Sequence, residues 1–524
     1  MIQGTSETRR ALSYNAVVPV TLGSARLASR LGGQRVGLLA NQASVDTSFR
    51  HVAEVVSSLP GVTLAALFGP QHGFWSDVQD NMIETGHTRH SNLNVPIYSL
   101  YGSTREPSGK MLEGLDLLVV DLQDVGTRVY TYIHTMTNCL RACARYGVPV
   151  VICDRPNPVG GIRIEGGMLE PGFESFVGLY RIPLRHGLTI GELAQLCNNA
   201  FGLNASLEVL PLDNWNREMY HDETGLPWVL PSPNLPTLQT AVVYPGMVLL
   251  EGTNLSEGRG TTLPFELVGA PWLGAHGVTH AMNALGLPGV CFRPAEFQPT
   301  FQKHAGQTCG GCQLHVTDRT AFRPVLTAVA LLEVCRRLAP DQFAWREPPY
   351  EYETVIPPID ILWGCDRLRR QLEDDVPFSK IAEGWTADLQ TFERLRALSP
   401  LLTETYPIPS TPLDEGDCRA IGKDLDRHQE RHTGHNPTMA VRPLTFEHSV
   451  LITAAPDAVL SAFFDPASLA VWWDTIRSVT TPRPLGVYAI EWRNTPFSDA
   501  MLGTLGGVFY GTVVEYRRRQ GFFL

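Results

Sequence analysis

The chain has 524 residues, a formal charge of −11 and 18% charged residues, a balance that excludes a generally basic nucleic-acid binder. Apolar residues make up 44% of the composition, enough for more than one hydrophobic core, and a domain scale of about 150 residues predicts two or three domains. Residues 1–31 lack an apolar run of signal-peptide length, and no stretch approaches the roughly 18 apolar residues of a membrane span. With the 10 cysteines scattered rather than framed as disulfide pairs, a reduced, cytoplasmic chain is expected, with no membrane or nucleic-acid partner.

In chain order, Arg35–Asn41 reads as a short buried strand and Thr47–Ser58 carries helical spacing. Val62–Leu67 is a second strand, running into Phe68-Gly-Pro-Gln-His-Gly73. Leu115–Asp121 is strongly apolar and ends on a carboxylate, Thr131–Tyr146 is helical, and Val148–Asp154 is the next strand. Continuous apolar strands separated by helices predict an α/β fold built on a parallel sheet covered on both faces. Residues 1–190 are read as this first domain, and 191–405, a mixed and proline-rich stretch, as a smaller second domain closing over it. Residues 406–438 read as a linker. In the remaining unit, 439–524, Leu444–Leu451, Val487–Trp492 and Val508–Tyr516 look like strands and Pro456–Phe464 like a short helix.

In parallel sheets the ligand crevice lies beyond the carboxyl ends of the strands. The polar clusters of this chain fall at such ends: Gln71 and His72 with Asp80 on the same loop, then Asp121, Gln123 and Asp124 with Arg128 and Tyr130, then Arg155 and Asn157. Amide, carboxylate and guanidinium groups beside aromatic rings suit a polyhydroxylated ligand, which needs one partner per hydroxyl and a flat surface for the sugar face. For any single pair, such as Glu257 and Arg259, a structural salt bridge competes with that reading. Other signals are weak. Cys309-Gly-Gly-Cys312 lacks a second pair, His276 and His280 lack an accompanying carboxylate, and His428, His432 and His435 sit in the linker, so no metal is expected. No dinucleotide, P-loop or serine-esterase signature occurs, and no cofactor is expected.

Six segments in order carry a resemblance: Leu67–Gly73, Asp121–Tyr132, Asp154–Pro158, His186–Glu192, Pro231–Pro236 and Glu251–Gly260. Across them, from about Arg35 to Arg396, the chain resembles the NamZ-type exo-β-N-acetylmuramidases, a glycoside hydrolase family long carried as a domain of unknown function. The resemblance implies a Rossmann-like first domain, a smaller α/β second domain and an active cleft between them. It also implies removal of terminal N-acetylmuramic acid from peptidoglycan fragments, with a muropeptide or amino sugar as ligand, as in cell-wall recycling. His186, Asn234, Asn254, Glu257 and Arg259 join the expected ligand-binding set with Gln123, Arg128, Tyr130, Arg155 and Asn157.

One departure bears on the chemistry. The family usually reads Pro-Glu-His-Gly where this chain has Pro70-Gln71-His72-Gly73, and Met82 stands where a further Glu is usual. An amide does not exchange protons at neutral pH, so Gln71 cannot replace a catalytic carboxylate. Three routes stay open: Asp80 or Glu84 as the acid with Asp121 or Asp124 as partner, Gln71 orienting the substrate's acetamido group, or a protein that binds its sugar without turnover or acts on a different sugar. Residues 446–524 resemble the start of a START-like (SRPBCC) domain, on Ser449-Val-Leu-Ile452, Pro456–Phe464 and Ala470-Val-Trp-Trp473. A partial helix-grip α+β domain, truncated before its long covering helix, is expected there.

Overall fold

The computed structural model describes residues 18–408 apart from 81, 398, 400 and 402–404, and beyond them seven strands between 475 and 523. Contacts divide the chain into two compact units on either side of residue 433. In the first unit, β1 (Arg35–Ala40), β2 (Thr63–Gly69), β3 (Thr88–Arg89), β4 (Pro96–Ser99), β5 (Leu117–Asp121) and β6 (Val150–Cys153) precede the small hairpin β7 (Glu165–Met168) and β8 (Pro183–Arg185). With β9 (Leu207–Leu210), they build a seven-stranded sheet in the order β3-β4-β2-β1-β5-β6-β9, parallel except for β3 on β4. Strands β5 and β6 are buried throughout, the reason their sequences are unbroken apolar runs. The sheet extends past residue 190, because β9 pairs with β6 at its edge.

The expected strands at 35–41, 62–67, 115–121 and 148–154 all form. The helix expected over Thr47–Ser58 starts only at Val52. The Asp46 carboxylate accepts from the backbone N–H groups of Ser48 and Arg50, which holds 46–50 in a turn, and His51 caps the helix through the N–H of Ala53.

The rest of the unit adds a three-stranded antiparallel sheet, β10 (Leu267–Ala270), β11 (Val290–Phe297) and β12 (Cys309–Val316), in the order β10-β12-β11. Helices Leu238–Met247 and Pro324–Leu338 pack closely because position 246 is glycine, where a Cβ would collide with the Pro324 carbonyl. Tyr406, at the start of the expected linker, is buried against Trp215 with ring centroids 5.1 Å apart. No described helix is long and apolar enough to cross a membrane.

In the second unit, strands Thr475–Thr480, Val487–Trp492 and Gly507–Thr512 form an antiparallel sheet. The expected strand 487–492 is present, and the one expected over 508–516 occurs as Gly507–Thr512 and Glu515–Arg517. The strand expected at 444–451, the helix at 456–464, the START-like segments and the linker histidines lie outside the described residues.

Candidate active site

A small, largely polar cavity opens beyond the carboxyl ends of the parallel strands. Gln71 and His72 reach it from the turn after β2, Tyr130 and Thr131 from the loop after β5, and Tyr132 as the first residue of the helix Tyr132–Tyr146. Ser232, Asn234, Tyr244, Glu251, Arg259 and Phe265 close it from the following segments, and Tyr350 and Glu351 from a tight turn.

Two carboxyl groups stand on the wall. Glu351 is buried, and its two oxygens accept from Gln71 Nε2 at 3.1 Å and from the Tyr101 hydroxyl at 2.8 Å. Burial pushes its carboxyl above the ordinary range, against the pull of those two donors. Glu251 accepts from Arg259 Nη2 at 2.7 Å and from the Tyr350 hydroxyl at 2.8 Å. Glu251 and Glu257 together hold the buried Arg259 guanidinium firmly charged against its desolvation. The Nε–H of Arg259 is buried and makes no hydrogen bond, with Glu257 Oε1 3.7 Å away.

His72 has a left-handed backbone, with φ 69°, and its Nδ1 lies 2.8 Å from the Val78 carbonyl. That bond places the proton on Nδ1 and leaves Nε2 as an acceptor. Burial lowers the ring to about 4, so it is neutral at physiological pH. Tyr132, Tyr130, Tyr244 and Phe265 form a connected aromatic wall, with successive centroids 4.6, 6.1 and 4.9 Å apart. Burial keeps the tyrosine hydroxyls protonated, Tyr132 being pushed up to about 12.

Of the expected residues, Gln71, His72, Tyr130, Asn234 and Arg259 line this cavity together. Gln71 bonds at both ends of its amide: Nε2 donates to Glu351 and Oε1 accepts from Thr131. Asp80 lies outside the lining and accepts from Gln302, and the exposed Glu84 pairs with Arg105. Asp121 is fully buried against Arg155, which walls a smaller cavity with Gln123, and the Gln123 amide donates to the carbonyls of Asp124 and Pro156. Asp124 accepts from the N–H of Gly126 and lies 3.2 Å from His186 Nε2. Asn157 ties Leu188 to Val159. Arg128, fully buried, donates to the carbonyls of Gly167, Ile182, Leu362 and Trp363. Asn254 joins Gln342 and Ala344, and Glu257 lies 2.7 Å from Lys303 Nζ. None of these residues lines the cavity; Gln123, Arg128, Asn157 and Asn254 serve buried or loop backbone groups, and the others pair with neighbouring side chains.

Glu251 was visible only as part of a motif, and Tyr350 and Glu351 not at all. Their signal was Tyr350-Glu-Tyr-Glu353 following Pro348-Pro349, two carboxyls among aromatics without a strand in front of them. Glu351 and Tyr352 both have left-handed backbones, with φ 44° and 71°. Such strain costs about 1–3 kcal/mol per residue and concentrates at functional sites. Cys309 and Cys312 lie on β12 at an odd spacing, so their side chains point to opposite faces, and His276 and His280 are exposed on helix Ala275–Ala284.

Comparison with known proteins agrees with this architecture. The family model described as exo-beta-N-acetylmuramidase NamZ, N-terminal, matches residues 36–239, and its C-terminal counterpart matches 242–399. The peptidoglycan beta-N-acetylmuramidase NamZ of Bacillus subtilis (strain 168) is 45% identical over 367 residues, 70% of this chain and 86% of that protein. Crystal structures of two DUF1343 family proteins from Bacteroides fragilis NCTC 9343 superpose with TM-scores of 0.67 and 0.58 at 32% and 27% identity. They cover 74% and 72% of this chain and 99% and 98% of their own.

Proposed function

The chain belongs to the exo-beta-N-acetylmuramidase NamZ family, and from that premise we propose that it is a peptidoglycan glycosidase whose general acid is Glu351. It releases N-acetylmuramic acid from the end of peptidoglycan fragments. The observation that carries the assignment is the setting of Glu351: a carboxyl on the cavity wall, buried enough to hold a proton above the ordinary carboxylate range. Gln71, standing where the family usually has Glu, is then a positioning residue, its amide anchored on Thr131 and directed at the acid.

Glycoside hydrolysis usually takes a second carboxyl beside the reacting carbon, and Glu251 is the group on the wall that can supply it. Muramic acid differs from glucosamine by a lactyl ether that carries a carboxylate. The Arg259 guanidinium on the cavity wall is the charged group suited to that carboxylate. The aromatic wall offers the sugar a face, and Asn234 and Ser232 offer hydroxyl partners. For the second unit we propose the START-like fold. The antiparallel sheet of 475–480, 487–492 and 507–512 supports it.

The test is hydrolysis of two substrates, the disaccharide of N-acetylmuramic acid β-linked to N-acetylglucosamine and β-N-acetylmuramyl fluoride. Glu351→Gln should lower kcat on the disaccharide by about 10²–10⁴-fold, the range of general acid catalysis. It should lower it far less on the fluoride, whose leaving group departs without a proton. Tight binding of the disaccharide without turnover by the unaltered protein, or an equal loss on both substrates, refutes the assignment.

A further inference from the structure

A general acid delivers its proton to the glycosidic oxygen, so the sugar that leaves must lie beside the acid, on the side facing away from the enclosed cavity. Beside Glu351 the chain places an exposed aromatic residue. The turn Tyr350–Glu353 is closed by reciprocal backbone bonds between its ends, each 2.9 Å. Its two central residues, Glu351 and Tyr352, are both left-handed, the arrangement of a type I′ turn, which Asn and Gly ordinarily occupy. The consequence is a sharp division between neighbours. Glu351 is 3% exposed and lines the cavity, whereas Tyr352 is 49% exposed.

Tyr352 is held by its neighbours. The Arg105 guanidinium lies 3.9 Å from its ring centroid, and Tyr101 and Phe176 pack around the same guanidinium at 4.8 and 5.5 Å. Glu84 accepts from the Tyr352 hydroxyl at 3.3 Å and pairs with Arg105 at 3.5 Å. Tyr101 belongs to both groups, its ring packing on Tyr352 at 5.8 Å and its hydroxyl donating to Glu351. The loop of Glu84 also leads back to the cavity. Gln79 bonds to Asn234 on the wall, and the sulfur of Met82 accepts from the N–H of Glu351.

We propose that Tyr352, backed by Arg105, is the platform for the amino sugar on the leaving-group side of the scissile bond. This rests on the reading of Glu351 as the acid, and it assigns a specificity role to a residue outside the cavity. The strained turn links the two functions, since one backbone conformation turns the acid inward and the ring outward.

The two substrates above separate this inference from the one it rests on, because the fluoride has no leaving sugar. Tyr352→Asn keeps a residue that tolerates the left-handed backbone and removes the ring. It should raise KM for the disaccharide about 10-fold, the scale of a lost stacking contact, and leave the fluoride within twofold. Tyr352→Phe, which keeps the ring, should retain the disaccharide kinetics. Loss on both substrates alike, or on neither, with the unaltered protein active on both, overturns the platform alone. An unaltered protein that hydrolyses neither overturns the glycosidase reading and the platform together.

Discussion

The hydroxyl of Tyr101 offers the cleanest probe of the acid. It is buried, donates to Glu351 at 2.8 Å and, with Gln71, favours the charged carboxylate against the burial that disfavours it. Tyr101→Phe removes that donor with little change of shape. A hydrogen bond to a charged group contributes about 1.5–3 kcal/mol, and one to the neutral acid about 1 kcal/mol, so the net loss falls on the ionised form by roughly 0.5–2 kcal/mol. At about 1.36 kcal/mol per pKa unit, Glu351 should rise by about one unit. The sign for activity follows from the role: a general acid works protonated, so activity is present below its pKa and lost as pH climbs through it. The assay is kcat/KM against pH on the disaccharide, whose alkaline limb reports the free enzyme's acid. Tyr101→Phe should carry that limb upward by about one unit. A limb that stays, or moves down, refutes Glu351 as the titrating acid.

Two further outcomes concern the frame around the site. Arg128→Met strips the partners from four buried carbonyls, those of Gly167, Ile182, Leu362 and Trp363. At about 1 kcal/mol or more for each orphaned group, urea unfolding should show a loss of at least about 4 kcal/mol, and a loss under about 1 kcal/mol would contradict the structural role. Asp154 is pushed up to about 7, first by burial and then by the charge of Glu192. A carboxyl raised on folding contributes stability that is full below its unfolded pKa and is lost as pH rises through about 7. The stability of the native chain relative to Asp154→Asn should therefore decline between about pH 4 and pH 8, and a constant or growing difference would contradict the shift.

The parallel sheet was legible because its central strands are buried on both faces, which leaves unbroken apolar runs such as Leu117–Asp121. Strand β9 was not, because its edge position leaves it half exposed and its four residues alternate without a clear pattern. The site was legible only in part, for a related reason. At the strand ends a cluster of polar residues looks the same in sequence whether it faces a ligand or ties down a loop. Gln71 and Arg259 turned out to face the cavity, whereas Arg128, Asn157 and Asp124 serve backbone groups. Glu351 carries no such signal, because it meets Gln71 across 280 residues, on a turn with no strand or helix to frame it.

The amide at position 71 also changes what kind of acid Glu351 is. Gln71 Nε2 lies 3.1 Å from the Glu351 carboxyl, so a carboxyl at 71 would face a second carboxyl at hydrogen-bond distance. Two such groups cannot both ionise readily, and they titrate as a pair with one proton between them. With an amide in that place, the neighbour donates a hydrogen bond and carries no charge, and Glu351 titrates without a like-charged partner in contact. With Glu351 as the proposed acid, an amide at position 71 leaves proton transfer to Glu351 and can serve to aim it. Thr131 fixes that aim: by donating to Oε1 it sets which end of the amide is acceptor, and the Nε2 donor is then directed at the acid.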